Sequence, residues 1–272
     1  MDDAGMVRAI EGNLAELLVR MGAAGGGEQR DDGVVRWTIG GSPIDYHNAV
    51  VGADLSPGNA DAVIAESLEL LQDKGVPGCW HVGPSMRPAD LGVRLTKAGF
   101  TAAGGEPGMA VALADLSDEP LGPDQLRIIR VEDDADLGTW ATTLARGFGE
   151  GPKEADWVAE IYRREGLGDP WRHYLGWLDG EPVATTTIFL TPGIAGVYFV
   201  MTVPEVRRKG IGAAITRAAV RAAEDVATHA VLGSSPAGRS VYAGLGFREY
   251  CSIDLYEWAS TAKPPSPPAT RP

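Results

Sequence analysis

Of the 272 residues only two are cysteine, Cys79 and Cys251, and only four are histidine. Two cysteines make neither a disulfide framework nor a zinc ligand set. His47, His81, His173 and His229 are scattered and match no metal motif, so no metal is expected. Apolar runs are short. None approaches the roughly 18 residues a membrane helix needs, so no membrane partner is expected. Basic residues are also scarce, 24 Lys and Arg against 37 Asp and Glu, a net charge of −13. That balance argues against DNA, RNA or anionic membranes, which are bound through Lys and Arg. The start, MDDAGMVRAIEGN, has no basic stretch leading into an apolar one, so no signal peptide is expected. The default expectation is a soluble, cytoplasmic, metal-independent protein.

What is present is an ordinary globular composition, 44% apolar and 22% charged. Residues 4–22 carry Met6, Ile10, Leu14, Leu17 and Met21 at spacings of three or four, which predicts an amphipathic helix. The glycines that follow predict a loop. Strands are expected at 34–39 and 49–55, then a helix opened by Ser56-Pro57 and stopped at Gly75. A strand at 79–83, a helix closing on Gly99 and a strand at 107–114 complete the first half. Residues 115–125, DLSDEPLGPDQ, are polar with two prolines and read as a linker. The second half reads strand 126–131, helices at 133–148 and 154–165, a hairpin turning at Asp179-Gly180, and a strand at 196–203. A long helix at 210–226, a strand at 230–235, a short helix ended by Gly246 and a last strand complete it. HVGPSMRPADLGVRLTKAGF (81–100) resembles HAVLGSSPAGRSVYAGLGF (229–247), with the two Gly-Phe pairs 147 residues apart. We therefore expect an α/β (α+β) chain of two tandem modules, 1–115 and 127–258, joined by a linker at 116–126. A disordered Pro-rich tail is expected at 259–272.

The chemistry concentrates at 197–220, VYFVMTVPEVRRKGIGAAITRAAV. A strand and a Pro-containing turn lead to Arg207-x-x-Gly210-x-Gly212 at a helix start. The first N–H groups of a helix lack internal partners and sit at its positive end. Glycines let a backbone approach an anion closely, and Arg207, Arg208 and Lys209 add charge. A pyrophosphate is the natural guest. GxxxxGK[ST] is absent, and a dinucleotide fingerprint would need glycine where Ile215 stands.

This motif, followed by Ser235 with Tyr242 seven residues later and then Leu245-Gly246-Phe247, resembles the GNAT superfamily of N-acetyltransferases over residues 127–258. The resemblance implies mixed, mostly antiparallel twisted sheets flanked by helices. It also implies a V-shaped splay between the strand before the helix and the next one, with acetyl-CoA in the gap as co-substrate. Backbone groups at Val200, Met201 and Thr202 would pair with pantetheine. Arg207, Arg208, Lys209, Gly210, Ile211, Gly212 and Ala213 would surround the pyrophosphate, and Ser235 would touch the pantetheine arm. Tyr242 would be the general acid for the departing thiolate, and the N–H of Met201 or a neighbour would hold the oxyanion. The expected partner is a small-molecule primary amine, and a homodimer is left open. A peptide N-terminal acetyltransferase and a non-catalytic acyl-CoA-binding module are the alternatives, with an NAD oxidoreductase remote.

The general base is not readable; Glu150, Glu154, Asp156, His173, Tyr198 and Asp254 are candidates. Residues 147–157, rich in glycine and charge, suit a lid. Trp140, Trp157, Trp171 and Trp177 are expected in the core or in the wall of an acceptor pocket. In the first half Leu95 stands where Tyr242 stands in the second, and 54–63 has no arginine but has Asp54 and Asp61. Those charges would repel a pyrophosphate. The first module is expected to be degenerate.

Overall fold

The computed structural model describes residues 1–119 and 121–259. The first half runs α1 (Asp3–Ala24), β1 (Glu28–Asp31), β2 (Val35–Ile39), a 3-10 turn at Asp45–His47, β3 (Ala49–Ala53), α2 (Ala60–Lys74), β4 (Gly78–Val82), α3 (Leu91–Lys97) and β5 (Thr101–Ala112). The second half runs β6 (Arg127–Arg130), α4 (Asp134–Leu144), α5 (Pro152–Glu165), β7 (Trp171–Leu178), β8 (Glu181–Thr191) and β9 (Gly193–Thr202). It continues through α6 (Ile211–Arg221), β10 (Ala227–Gly233), α7 (Arg239–Gly244) and β11 (Arg248–Trp258). The expected tail lies outside the described residues from position 260 onward.

Local chemistry sets most boundaries. The Asp2 carboxylate accepts the Gly5 N–H and starts α1. Gly75 ends α2 at φ 65°, a left-handed conformation that glycine adopts without strain. Four expectations were displaced. Ser56 starts a turn rather than a helix, accepting the Asn59 N–H on its carbonyl, so α2 begins at Ala60. Residues 28–31 form a short strand paired with β2 where a loop was expected. β5 starts at Thr101, well before 107, because both of its edges find partners. α6 stops at Arg221 rather than continuing to 226.

All described strands join one 11-stranded sheet in the order β1-β2-β3-β4-β11-β5-β10-β9-β8-β7-β6. The last strand of each half is exchanged into the other. β5 lies antiparallel between β10 and β11, and β11 lies antiparallel between β4 and β5. The only parallel pairs among the described strands are β3 with β4 and β9 with β10, one in each half. The halves also share a core. Leu17, Leu18 and Met21 of α1 pack in one cluster with Trp140, Phe189 and Phe199 of the second half. Trp37, Ile64, Trp80 and Leu95 form a separate cluster under the first half. Burial of such side chains stabilises by roughly 1.5–3 kcal/mol each, so the shared cluster ties the halves energetically as the strand exchange does topologically.

Candidate active site

β9 and β10 pair in parallel only as far as Gly196 opposite Val231. Beyond that point β9 runs on to Thr202 beside β8 alone, leaving a gap on its β10 side. A bulge sits at this divergence. Phe199 and Val200 together face Thr186, between the pairs Thr187–Tyr198 and Thr185–Met201. Phe199 has φ 52°, unusual for a bulky residue and typical of a bulge held by its surroundings. Its ring lies in an aromatic cluster 5.5 Å from Phe148 and 6.0 Å from Trp140. The hydroxyls of Thr185 and Thr186 donate to the carbonyls of Phe199 and Tyr198 at 2.9 and 3.3 Å. Sequence analysis gave no sign of these threonines, yet they supply the partners that the kinked strand would otherwise lack.

The ladder decides which β9 groups face the gap. The Val203 N–H donates to Val183 O at 2.9 Å, and Met201 lies opposite Thr185. Backbone direction alternates along a strand. Met201 therefore turns its N–H and C=O toward β8, whereas Val200 and Thr202 turn theirs toward the gap. The gap-facing N–H beside the bulge is therefore that of Val200 rather than of Met201, where the oxyanion donor was expected.

At the start of α6, Arg208 and Gly210 take positive φ of 67° and 78°. A Cβ on Gly210 would stand 3.0 Å from the Gly122 nitrogen, so a side chain there is excluded by both conformation and space. Among the described residues no backbone acceptor meets the N–H groups of Arg208, Lys209, Gly210, Ile211, Gly212 or Ala213; the first bond back into the turn is from Ala214 to Gly210 O. Arg208 and Lys209 are exposed beside them. Arg207 is used differently: it donates to Thr202 O at 2.9 Å and to Gly147 O at 3.2 Å, tying the strand end to the loop after α4.

The gap opens into a cavity of about 480 Å³. Tyr242 and Ser235 line it, with Val200 and Phe199 at the bulge. Gly238 makes room for the Tyr242 ring, since a Cβ there would lie 2.9 Å from Tyr242 Cε2. Burial lifts the Tyr242 phenol to about 12, so it is protonated at neutral pH. The Ser235 hydroxyl accepts the Gly238 N–H at 3.2 Å and keeps its own proton to donate.

The candidate bases separate. Glu150, Glu154 and Tyr198 line the cavity. The Tyr198 hydroxyl donates to Asn13 Oδ1 at 2.7 Å and is pushed far above its usual range by burial. Asp156 and Asp254 are exposed and do not line it. His173 is fully buried, bonded through Nδ1 to Thr187 Oγ1 at 2.9 Å and 4.0 Å from the Tyr162 ring, which makes it a core residue. Trp140 and Trp171 are fully buried core residues, and Trp157 anchors α5 to the first half by donating to Gly41 O at 2.8 Å. Sequence reasoning left open that the first half closes the acceptor side, but it assigned no first-half residue to the cavity lining. Ile44 just before the 3-10 turn, Tyr46 and His47 on it, Leu14 and Leu17 on α1, and Glu106 on β5 all line the cavity. His47 Nε2 lies 3.1 Å from Glu154 Oε1, with both side chains buried. Burial opposes the charge of Glu154, but its hydrogen bond and proximity to His47 outweigh that and hold the carboxyl below its ordinary value.

Residues 139–247 match the model of the acetyltransferase (GNAT) family. No curated protein sequence matches the chain. Solved structures similar to it include a GCN5-related N-acetyltransferase from Kribbella flavida, at 17% identity and TM-score 0.70 over 92% of this chain and 96% of that one. A tandem GNAT protein from the clavulanic acid biosynthesis pathway aligns at 14% identity and TM-score 0.60, over 86% of this chain and 82% of that one. A functionally unknown conserved protein from Staphylococcus epidermidis aligns at 13% identity and TM-score 0.66, over 86% and 94%. The chain thus has the GNAT fold, and its residues 139–247 match the GNAT acetyltransferase model. That fold supports acetyl transfer dependent on acyl-CoA. Among the described residues no helix is long and apolar enough to cross a membrane, and no cluster of metal-binding side chains occurs.

Proposed function

We propose that the protein transfers the acetyl group of acetyl-CoA to a primary amine of a small molecule. The observation that carries this reading is that the strand gap and the protonated Tyr242 share one cavity, while the N–H groups at the start of α6, the helix that follows the gap strand, have no backbone acceptor among the described residues. The residues present fit the co-substrate. The N–H groups from Arg208 to Ala213, with Arg208 and Lys209, would hold the pyrophosphate. The gap-facing backbone of Val200 and Thr202 would meet the pantetheine amides as a neighbouring strand would. Ser235 stands at the mouth of the same gap.

The chain's own groups then divide the chemistry. The Val200 N–H points where the thioester carbonyl oxygen gathers charge. The wall of the cavity holds the amine against the thioester carbon, which removes much of the entropic cost of bringing two reactants together. Tyr242, held in its protonated form at neutral pH by burial, gives its proton to the sulfur as negative charge gathers there. No covalent acyl-enzyme is needed. We place this chemistry in 127–258, with the first half closing the acceptor side.

Calorimetric titration with acetyl-CoA, CoA and NAD tests the reading. One CoA site per chain is expected, with NAD not bound and the affinity lost in Arg208→Glu. Thiol release with primary amines should follow. A protein that binds NAD in preference to CoA, or binds no CoA, would overturn it.

A further inference from the structure

The cavity lining has two kinds of side chain. Leu14, Leu17, Ile44, Phe148 and Val197 are apolar. Asp45, Glu106, Glu150 and Glu154 are acidic, and no lysine or arginine lines the cavity among the described residues. Lys153 sits outside it, paired with Glu150 at 2.6 Å.

Glu106 is the carboxylate best placed to meet an acceptor at the gap. The β5–β10 ladder ends at Gly108 opposite Gly233, followed by one bond from the Ser234 N–H to Pro107 O at 2.9 Å. Glu106 is the next residue along β5, and a Cβ on Gly233 would lie 3.0 Å from its Oε2. Its carboxylate thus lies against the end of β10, just before Ser235. The Tyr46 hydroxyl donates to Glu106 Oε2 at 3.0 Å and fixes it. The other oxygen has no hydrogen-bond donor among the described residues. Burial raises its proton affinity, and the Tyr46 hydrogen bond offsets this only in part. A second observation points to a ligand. His47 lines the cavity, is 2% exposed, and has an Nδ1 atom with no hydrogen-bond partner among the described residues.

We propose that the first half completes the acceptor site: Glu106 receives the acceptor's ammonium and takes its proton, and the acidic wall selects amines on apolar bodies that carry no carboxylate or phosphate. The proposal rests on the acetyl-transfer reading above. The proton balance is simple. The ammonium gives one proton to Glu106, and the nitrogen lone pair forms the C–N bond. The C–S bond breaks, and the thiolate takes the Tyr242 proton. The second proton lost by the nitrogen restores Tyr242, and Glu106 releases its proton to water. A carboxylate on the acceptor would instead face Glu106 and Glu154 in a half-enclosed space, where like charges repel far more than in water.

Matched amines test this by thiol release: 2-phenylethylamine and phenylalanine amide against phenylalanine, and hexylamine against 6-aminohexanoate. The non-anionic members should be acetylated, with kcat/KM at least ~10-fold above their carboxylate partners. In Glu106→Gln the affinity for CoA should be unchanged, which reports an intact fold. The kcat/KM for 2-phenylethylamine should fall at least ~10-fold, and its advantage over phenylalanine should shrink. Equal use of the carboxylate amines, unchanged turnover in Glu106→Gln, or no use of any non-anionic amine by a protein that binds CoA would each overturn the proposal. A protein that binds no CoA would instead overturn the acetyl-transfer reading beneath it.

Discussion

Both halves carry a parallel strand pair that diverges ahead of a helix, yet the two differ in how the strands part and in how the helix begins. In the second half β9 and β10 part at a bulge and leave a cavity of about 480 Å³. In the first half β3 and β4 pair only at Ala49–Cys79 and Val50–Trp80. A space of about 10 Å³ is lined by Val51, His81, Gly83 and Met86. α1 lies across it with Glu11, Leu14 and Ala15, and Glu11 Oε1 accepts the Ser85 N–H at 2.9 Å. Beyond it Arg87 closes the strands by donating to Ala53 O at 2.9 Å and accepting the Leu55 N–H at 3.2 Å. A separate depression of about 300 Å³ lies beside Gly52, Asp54 and Ser85. The helix starts differ as well. The Asn59 and Ala60 N–H groups, which open α2, are already spent on Ser56 O. Asp61 occupies the first turn of α2, whereas exposed Arg208 and Lys209 precede α6. A duplicated frame is not a duplicated site: the cradle needs open space, free N–H groups and cations together. At the matching place in the first half Asp61 stands in the first turn of α2, the nearby Arg94 is already paired with Asp61, and the Asn59 and Ala60 N–H groups are bonded to Ser56 O.

The largest effect expected from breaking this contrast is at Tyr242. Tyr242→Phe should lower kcat by roughly 100- to 1,000-fold while leaving the affinity for acetyl-CoA unchanged, because only proton delivery is removed. Leu95→Tyr, which places a phenol at the matching site of the first half, should restore none of that loss. Steady-state kinetics of the single and double variants decide it. Recovery of turnover in the double variant would mean the first half retains a working site.

Next in size is charge reversal at the cradle. Arg208→Glu should weaken CoA binding by roughly 30- to 100-fold, since it puts a carboxylate where helix dipole and cations favour an anion. The reverse change in the other half, Asp61→Arg, should create no second site, because Ser56 O still holds the first N–H groups of α2. Titration stoichiometry reads this directly: one CoA per chain in Asp61→Arg, and two if charge alone silences the first half.

A pH titration of stability tests whether the halves are one cooperative unit. Burial lowers His81, on β4 in the first half, to about 4, and His173, on β7 in the second, to about 3. The unfolded chain protonates both near 6.5, so below that pH it binds protons the folded chain does not. Stability is therefore full above pH 6.5. It falls as pH drops, at about 1.4 kcal/mol per pH unit for each histidine, toward pH 4 for His81 and pH 3 for His173. Because β5 and β11 are exchanged, a single denaturation transition should carry both slopes. Two transitions, each with one histidine's slope, would show that the halves unfold independently.

Much of this was legible in the sequence, and the illegible part has a common cause. Helix periodicity, the Gly-Phe repeat and the Arg207–Gly212 motif depend on residues close together along the chain. They foretold α1 and two similar modules, and the family resemblance they carry implied the splayed strand. The acceptor wall depends on residues more than a hundred positions apart. Glu106 stands between Gly105 and Pro107, in a stretch that reads as a turn. It lies in the middle of a strand only because β11 continues beside β5 past the end of β10. His47 meets Glu154 for the same reason. The direction of the Met201 backbone was likewise beyond reach, since it depends on which residues the bulge doubles.

The smallest effect is expected at Glu11, and it separates two explanations of the closed gap. Glu11→Gln keeps the size of the side chain and its ability to accept the Ser85 N–H. Glu11→Ala removes that partner and leaves the Ser85 N–H to water. Glu11→Ala should cost about 1 kcal/mol of stability, the net worth of one hydrogen bond to a charged acceptor at an accessible position, and Glu11→Gln less. Neither should change turnover, because Glu11 lines no part of the cavity that holds Tyr242. If filling by α1 were the sole reason for silence, loosening it in Glu11→Ala would raise CoA stoichiometry above one per chain. Stoichiometry should stay at one. Removing a plug frees no N–H group at α2 and leaves Asp61 in its first turn, so the space gained would still lack anything to hold a pyrophosphate.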